Sequence, residues 1–272
     1  MRLKLFLAVA LVIAGACDAD TFTGDAGGSD TGPDVPAIGG GDGGSADGAI
    51  VEAGPKRFCD TVDAQFCADF DIPGDAGAGF EAPTENGGWT LDFQDAQVKS
   101  TPVAVEIDTI GDAGGVASMR TLPLSPDASV KSVLVAEADL FLPDAAPATP
   151  DVIMVFAAGS LPAQQFLFGL AEQSGLWSLA HITSLVTKPL NPKPATNEWV
   201  HAIVSVDMSV SGTVTLEVDS SVGKSFAALS VATIPDGGAP GYLGVIQVGS
   251  SDGYDSVANR TFFVDNVTAN WQ

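Results

Sequence analysis

The sequence predicts an all-β domain, an antiparallel β-sandwich, on three observations. Residues 197–219 read as two strands and a turn, because Val214, Leu216 and Val218 alternate with Thr213, Thr215, Glu217 and Asp219. That period of two marks a sheet with one buried and one wet face. In the preceding strand Val200, Ala202, Val204 and Val206 share one face, while Trp199, His201, Ile203, Ser205 and Asp207 share the other. Residues 209–212 supply the turn chemistry between them. About a dozen such short runs recur at regular spacing, divided by Gly, Pro, Asn and Asp, which is the sandwich pattern. No segment of the domain sustains a long helical period.

Ahead of the domain, residues 1–16 join a basic start, Arg2 and Lys4, to an uncharged apolar run that ends in Ala14-Gly15-Ala16. This reads as a secretory signal, too short for an ordinary spanning helix. Small residues followed by Cys17 resemble the lipobox of bacterial lipoproteins, which implies cleavage before Cys17 and lipidation at that residue. Ala14 stands where that family usually has Leu, so an ordinary signal peptidase site nearby is the alternative. Asp18 resembles an inner-membrane retention signal of some bacteria. The expected location is the bacterial cell envelope, periplasmic or at the cell surface, with the membrane met through the lipid anchor alone.

Residues 17–55 shift to Gly, Asp, Ala, Ser and Thr, with eight acidic residues and no basic one. Such a stretch cannot bury enough apolar surface to offset its chain entropy, and it reads as an extended tether. Its aspartates keep no nine-residue period, which argues against a calcium repeat. The folded domain is expected over residues 56–272. In an exported chain whose Cys17 carries lipid, Cys59 and Cys67 are the remaining cysteines and are expected to pair. The rival, a two-cysteine metal site, has no His at local ligand spacing.

The strands are expected in this order: residues 68–71, then one opening at 88–91 after a loop rich in Gly, Pro and Asn, then 103–107 and 116–122. The longer run 130–142 places Leu134, Ala136, Ala138, Leu140 and Leu142 on one face and Val133, Val135, Glu137, Asp139 and Phe141 on the other. Residues 152–157, 165–171, 176–182, the hairpin, 226–232, 242–248 and 262–269 complete the set.

Four stretches taken together resemble the concanavalin A-like lectin/glucanase superfamily, in particular its laminin-G-like and bacterial lipoprotein members. They are Phe66-Cys67-Ala68-Asp69-Phe70-Asp71 with Gly88-Trp89, the pair 166–170 and 175–179, the Trp199 strand with 212–219, and Phe263-Val264-Asp265-Asn266-Val267. The resemblance covers about residues 57–272 and implies a jelly roll of two antiparallel sheets. It further implies a concave sheet for glycans or peptides, in some members a structural calcium, and in a subset glycosidase or lyase chemistry. First and last strands meet in that family, which places Asp69 or Asp71 near Asp265 as a possible calcium set; the other reading of these acids is turn capping or strand-end hydrogen bonding.

No catalytic residues are identified. Laminarinase-type members carry Glu-x-Asp-x-x-Glu, but Glu106-Ile107-Asp108 meets Gly111 and Glu217-Val218-Asp219 meets Val222 at the last position. Both stretches read as solvent-face acids. His181 or His201 with Tyr242 or Tyr254 makes a conceivable lyase pair, against which stands the reading of polar side chains on a sheet face. For sugar stacking the candidates are Trp177, Tyr254 and Tyr242, with Asp252 as a polar neighbour of Tyr254, whereas Trp89 and Trp199 read as core. Formal net charge is −23, from 11 Lys and Arg against 34 Asp and Glu, which disfavours nucleic acid and anionic lipid as partners. The expected function is a non-enzymatic carbohydrate-binding or adhesion module whose partner is a glycan or a cell-surface protein. The alternatives are a glycan-active hydrolase or lyase and a structural envelope lipoprotein.

Overall fold

The computed structural model describes residues 57–71, 77, 79–101, 103–109, 115–125, 133–142, 144, 151–160, 164–173, 176–181, 186–207, 212–230, 242–251 and 259–272. Of these, 151–160, 164–167, 173, 242–243 and 251 are described by backbone alone. Cys17, the residues of the expected signal and tether, Asp252 and Tyr254 lie outside the described residues.

The strands are β1 (Phe66–Ala68), β2 (Thr84–Asn86), β3 (Thr90–Gln94), β4 (Ala104–Thr109), β5 (Val116–Arg120), β6 (Val133–Leu142), β7 (Asp151–Ser160) and β8 (Gln164–Gln173). They continue with β9 (Leu176–His181), β10 (Val186–Pro189), β11 (Glu198–Asp207), β12 (Thr213–Ser220), β13 (Gly223–Ser230), β14 (Tyr242–Gly244), β15 (Gln247–Ser251) and β16 (Arg260–Trp271). A short 3-10 turn, Phe58–Asp60, precedes them. Among the described residues no helix is long and apolar enough to cross a membrane.

The large sheet runs β13-β12-β11-β6-β16-β4-β3, with β1 also paired to β16. A five-stranded sheet, β10-β9-β8-β7-β14, and a three-stranded one, β15-β5-β2, complete the sandwich. Every pairing is antiparallel, so the sandwich expected from the alternation is the fold observed. The hairpin supplies its register: Val206 faces Val214 and Val204 faces Leu216, and the four apolar residues of β11 and three of β12 are buried as their spacing requires. Leu134, Ala136, Ala138, Leu140 and Leu142 of β6 join them, and Phe168, Leu170, Trp177 and Leu179 meet them from the five-stranded sheet in one core. A buried ion pair, Arg260 of β16 with Glu172 of β8, crosses between the sheets.

Three strand expectations change. Asp69 and Asp71 lie beyond β1, which is the shorter Phe66–Ala68, because Phe70 takes a left-handed φ of 56° that ends the extended run. Residues 242–248 divide into β14 and β15, which join different sheets. At Gly249, φ is 128° and an added Cβ would stand 2.1 Å from the Ala117 carbonyl oxygen, so the β5–β15 pairing requires glycine there. Finally, β2 and β10 arise inside stretches without alternation.

The expected disulfide is present between Cys59 and Cys67, which closes the entry into β1. β1 lies against β16 with Phe66 opposite Ala269, so the first and last strands of the domain meet.

Candidate functional site on the outer face of the large sheet

Cross-strand partners share a face, so the registers place side chains in rows across the large sheet. One row runs Asp92 of β3, Glu106 of β4, Phe263 of β16, Phe141 of β6 and Trp199 of β11. The next runs Asp265, Asp139, His201, Asp219 and Lys224 over β16, β6, β11, β12 and β13. A third contains Thr268, Glu137, Ile203, Glu217 and Phe226.

In the first row Phe141 stands edge to face with both Trp199 and Phe263, each at a centroid distance of 5.9 Å. All three rings are partly exposed, while the other faces of their strands form the core. Trp199 thus belongs to the solvent-facing side, which corrects its reading as core. Its Nε1 is nevertheless turned inward and has no hydrogen-bond partner among the described residues. At the row's acidic end burial, then the charges of Asp108 and Asp92, push the Glu106 carboxyl up.

His201 joins the second row to the third. Its Nδ1 lies 3.1 Å from Asp139 Oδ1 and its Nε2 3.2 Å from Glu137 Oε2, with the imidazole 36% exposed. The hydrogen bond to Asp139 raises its pKa, burial opposes this, and Glu137 adds to the rise. A ring with a carboxylate at each nitrogen favours the imidazolium, which donates to both.

From Asp139 the network goes inward. Asn266 Nδ2 donates to Asp139 Oδ2 at 2.8 Å, and Ser100 Oγ lies 3.0 Å from Asn266 Oδ1. Asn266 has φ of 51° within a bulge between Asp265 and Thr268, and a bulge re-aims consecutive side chains. Asp265, fully buried, accepts from Lys99 N at 3.1 Å, Ser100 N at 2.8 Å and Asn266 N at 2.8 Å, with Ser100 Oγ 3.2 Å away. Burial still pushes its pKa up to about 6, against the pull of the Ser100, Asn266 and Lys99 amides. Asp71, hydrogen-bonded by Ser100, is likewise pushed up to about 6, by burial and then by the charge of Asp69. Its Oδ1 is buried without a hydrogen-bond partner among the described residues.

The residues named for calcium therefore do come together: Asp71 and Asp265 share Ser100, and Asp69 lies beside Asp71. Asp69 accepts from Cys59 N at 3.1 Å and from Asp71 N at 3.3 Å, so it ties the disulfide loop to the chain after β1. Among the described residues no group of three or more His, Cys, Asp or Glu is disposed to hold a metal ion.

The stacking candidates fare differently. Trp177 is 1% exposed and packs in the core from β9, so no sugar ring reaches its face; its position on the inward side of the five-stranded sheet corrects the expectation. Tyr242 is placed by backbone alone, opposite Ser160. His181 is also inward, stacked on Phe168 at 4.8 Å, with its pKa lowered by burial. Of the conceivable lyase pairs, His201 and Tyr242 lie in different sheets. Glu106, Asp108, Glu217 and Asp219 stand on the outer face of the large sheet, as expected of solvent-face acids.

Sequence reasoning missed Phe141, Phe263, Glu137, Asp139, Ser100 and Asn266 as site residues. The alternation of residues 133–142 already put Glu137, Asp139 and Phe141 on one face, but only the pairing of β6 with β11 and β16 sets them beside His201, Trp199 and Phe263.

The arrangement defines an antiparallel jelly-roll β-sandwich whose large sheet presents an aromatic and acidic outer face. No protein-family model matches the chain, and no curated protein matches it. Three solved structures share its fold. The Cellulose induced protein Cip1 covers 75% of this chain and 96% of its own at 12% identity, with a TM-score of 0.52. An endo-beta-1,4-glucuronan lyase from the fungus Trichoderma reesei covers 77% and 96% at 12% identity, with a TM-score of 0.53. Alginate lyase vAL-1 from Chlorella virus covers 77% and 100% at 11% identity, with a TM-score of 0.51. At such identities the likeness is one of fold.

Proposed function

We propose that the chain is an extracytoplasmic, lipid-anchored glycan-binding module without catalytic activity, and that the outer face of the large sheet holds the sugar chain. The observation that carries this reading is the row Phe263, Phe141, Trp199, partly exposed and flanked by the hydrogen-bonding row Asp139–His201. Apolar ring faces plus a few fixed polar groups are what an open sugar site needs. The fold supports it, being shared with proteins named for glucuronan and alginate cleavage. A lyase reading draws on the same names, but His201 is poorly placed as its base: both ring nitrogens are engaged by carboxylates, and an imidazolium abstracts no proton. Lipid on Cys17 and the acidic tether 17–55 would hold the domain off a bacterial membrane.

The test is a glycan array probed with the full chain, with hits confirmed by calorimetry. Trp199→Ala is expected to weaken a confirmed hit about tenfold or more, the loss of a central aromatic contact. Retention of no glycan by the wild-type chain overturns the reading in favour of a structural envelope role, and shortening of a bound glycan on incubation overturns its non-enzymatic part. Fatty-acid labelling that survives Cys17→Ser would remove the anchor.

A second reading concerns calcium, which the family resemblance associates with such sandwiches. Asp71, Asp265 and the Ser100 hydroxyl are hard oxygen donors, and Asp71 Oδ1 is buried with no hydrogen-bond partner among the described residues, although the described acids do not by themselves form a metal-holding group. Bound calcium would neutralise the charge that burial penalises at both carboxylates. Its test is thermal, and is given in the Discussion.

A further inference from the structure

Resting on the glycan reading above, we infer that the ligand is an amino-sugar glycan, one whose ammonium groups meet the carboxylates at the end of the aromatic row. The row does not stop at Phe263 but continues through its cross-strand partner Glu106 to Asp92, so rings and carboxylates lie on one line over five adjacent strands. Asp108 stands two residues along β4 on the same face and adds a second carboxylate beside Glu106. The rings follow one another at 5.9 Å, close to the repeat of a linked pyranose chain, on strands about 4.8 Å apart.

Across the three rows and Asp108, the described carboxylates that reach solvent are Asp92, Glu106, Asp108, Glu137, Glu217 and Asp219, while Asp139 is buried against His201 and Asn266. Against them stand His201, held by Glu137 and Asp139, and Lys224, paired with Glu217. A polyuronate would bring one carboxylate per sugar to this surface and be repelled. A deacetylated hexosamine chain brings one ammonium per sugar, which gains from the carboxylates and from the quadrupole of an adjacent ring face. The same rings would accept an N-acetylated chain without the electrostatic gain. The fold neighbours named for glucuronan and alginate therefore share this chain's architecture but not its ligand charge.

The experiment is calorimetry on the full chain with a β-1,4-linked glucosamine hexamer, its N-acetylated counterpart and a uronate oligomer of equal length, at low and high ionic strength. The glucosamine hexamer is expected to bind about tenfold tighter than the N-acetylated one at low salt, with the advantage shrinking as salt rises. Asp92→Asn with Glu106→Gln should bring the glucosamine hexamer down to the affinity of the N-acetylated one at low salt. Equal binding of the two hexamers, or tighter binding of the uronate, with either lost on Trp199→Ala, overturns the ammonium preference and leaves the glycan reading standing. Glucosamine binding that persists in Trp199→Ala with Phe263→Ala is diffuse charge attraction and also overturns it. Absence of all binding overturns both.

Discussion

Two carboxylate clusters, bridged by Asn266, solve the same electrostatic problem in opposite ways. Glu137, partly exposed, and Asp139, largely buried, gather a cation, the part-exposed His201, between them. Asp71 and Asp265 are buried; Asp265 accepts from N–H and O–H donors, and one Asp71 oxygen has no hydrogen-bond partner among the described residues. The first arrangement is cheap to form and to break. The second commits the backbone of residues 99–100 and 266 to a single geometry and keeps charge where burial penalises it. Closeness of carboxylates therefore says little about role; what each oxygen accepts from, and how much water reaches it, decides.

The largest expected effect separates the two clusters. Asp265→Ala removes the acceptor for three backbone amides in a fully buried place and should cost about 3 kcal/mol or more, read as a lowered denaturant midpoint. His201→Gln keeps hydrogen-bonding capacity at a part-exposed site and should cost under about 1 kcal/mol. Comparable losses would break the distinction.

Calcium should act on the buried cluster alone. On the second reading, millimolar calcium raises the melting temperature of the wild-type chain by several degrees, and Asp71→Asn abolishes the rise while His201→Gln keeps it. No rise in wild type removes the ion from the account.

In calcium-free buffer, Asp71→Asn should by contrast stabilise the chain at pH 8 by about 1 kcal/mol, since it keeps the shape of the side chain and removes a charge raised by burial and by Asp69. Destabilisation at pH 8 would show that the orphan oxygen has a partner in solution.

The pH dependence is subtler because the two clusters add. Asp71 and Asp265, pushed up to about 6 from 3.8, bind protons more tightly folded than unfolded, so stability they confer below about pH 4 is lost as pH rises to about 6. His201, raised above 6.5, contributes stability fully present below 6.5 and lost as pH climbs through its folded value. Asp144 and Glu198, held low by the Thr196 hydroxyl and the Ser221 amide, act the other way at acid pH, but both are fully solvated and weigh little. The melting temperature should therefore fall between pH 5 and pH 8, with the slope shallower in Asp71→Asn, and a flat profile would contradict the burial argument.

How much of this was legible in the sequence follows from the range of each signal. Alternation acts over neighbouring residues, so the hairpin, the buried stripe of β6 and the wet position of His201 could be read directly. Trp177 and Trp199 could not be sorted, because each lies in an alternating run and nothing local says which side of its sheet meets the other sheet. The two short strands β2 and β10 carry no alternation, and their pairing with β5 and β9 alone creates them.

Chain composition and periodicity by themselves determined an antiparallel β-sandwich, its hairpin register, its disulfide and its acidic character, since each follows from local spacing or from counting. Tertiary structure alone decided that Trp199, Phe141 and Phe263 form one row, that Asp139 and Glu137 close on His201, and that Ser100 stands between Asp71 and Asp265. Those contacts join residues 29 to 165 positions apart along the chain, and the order and register of strands in the sheet bring such residues within a few ångströms.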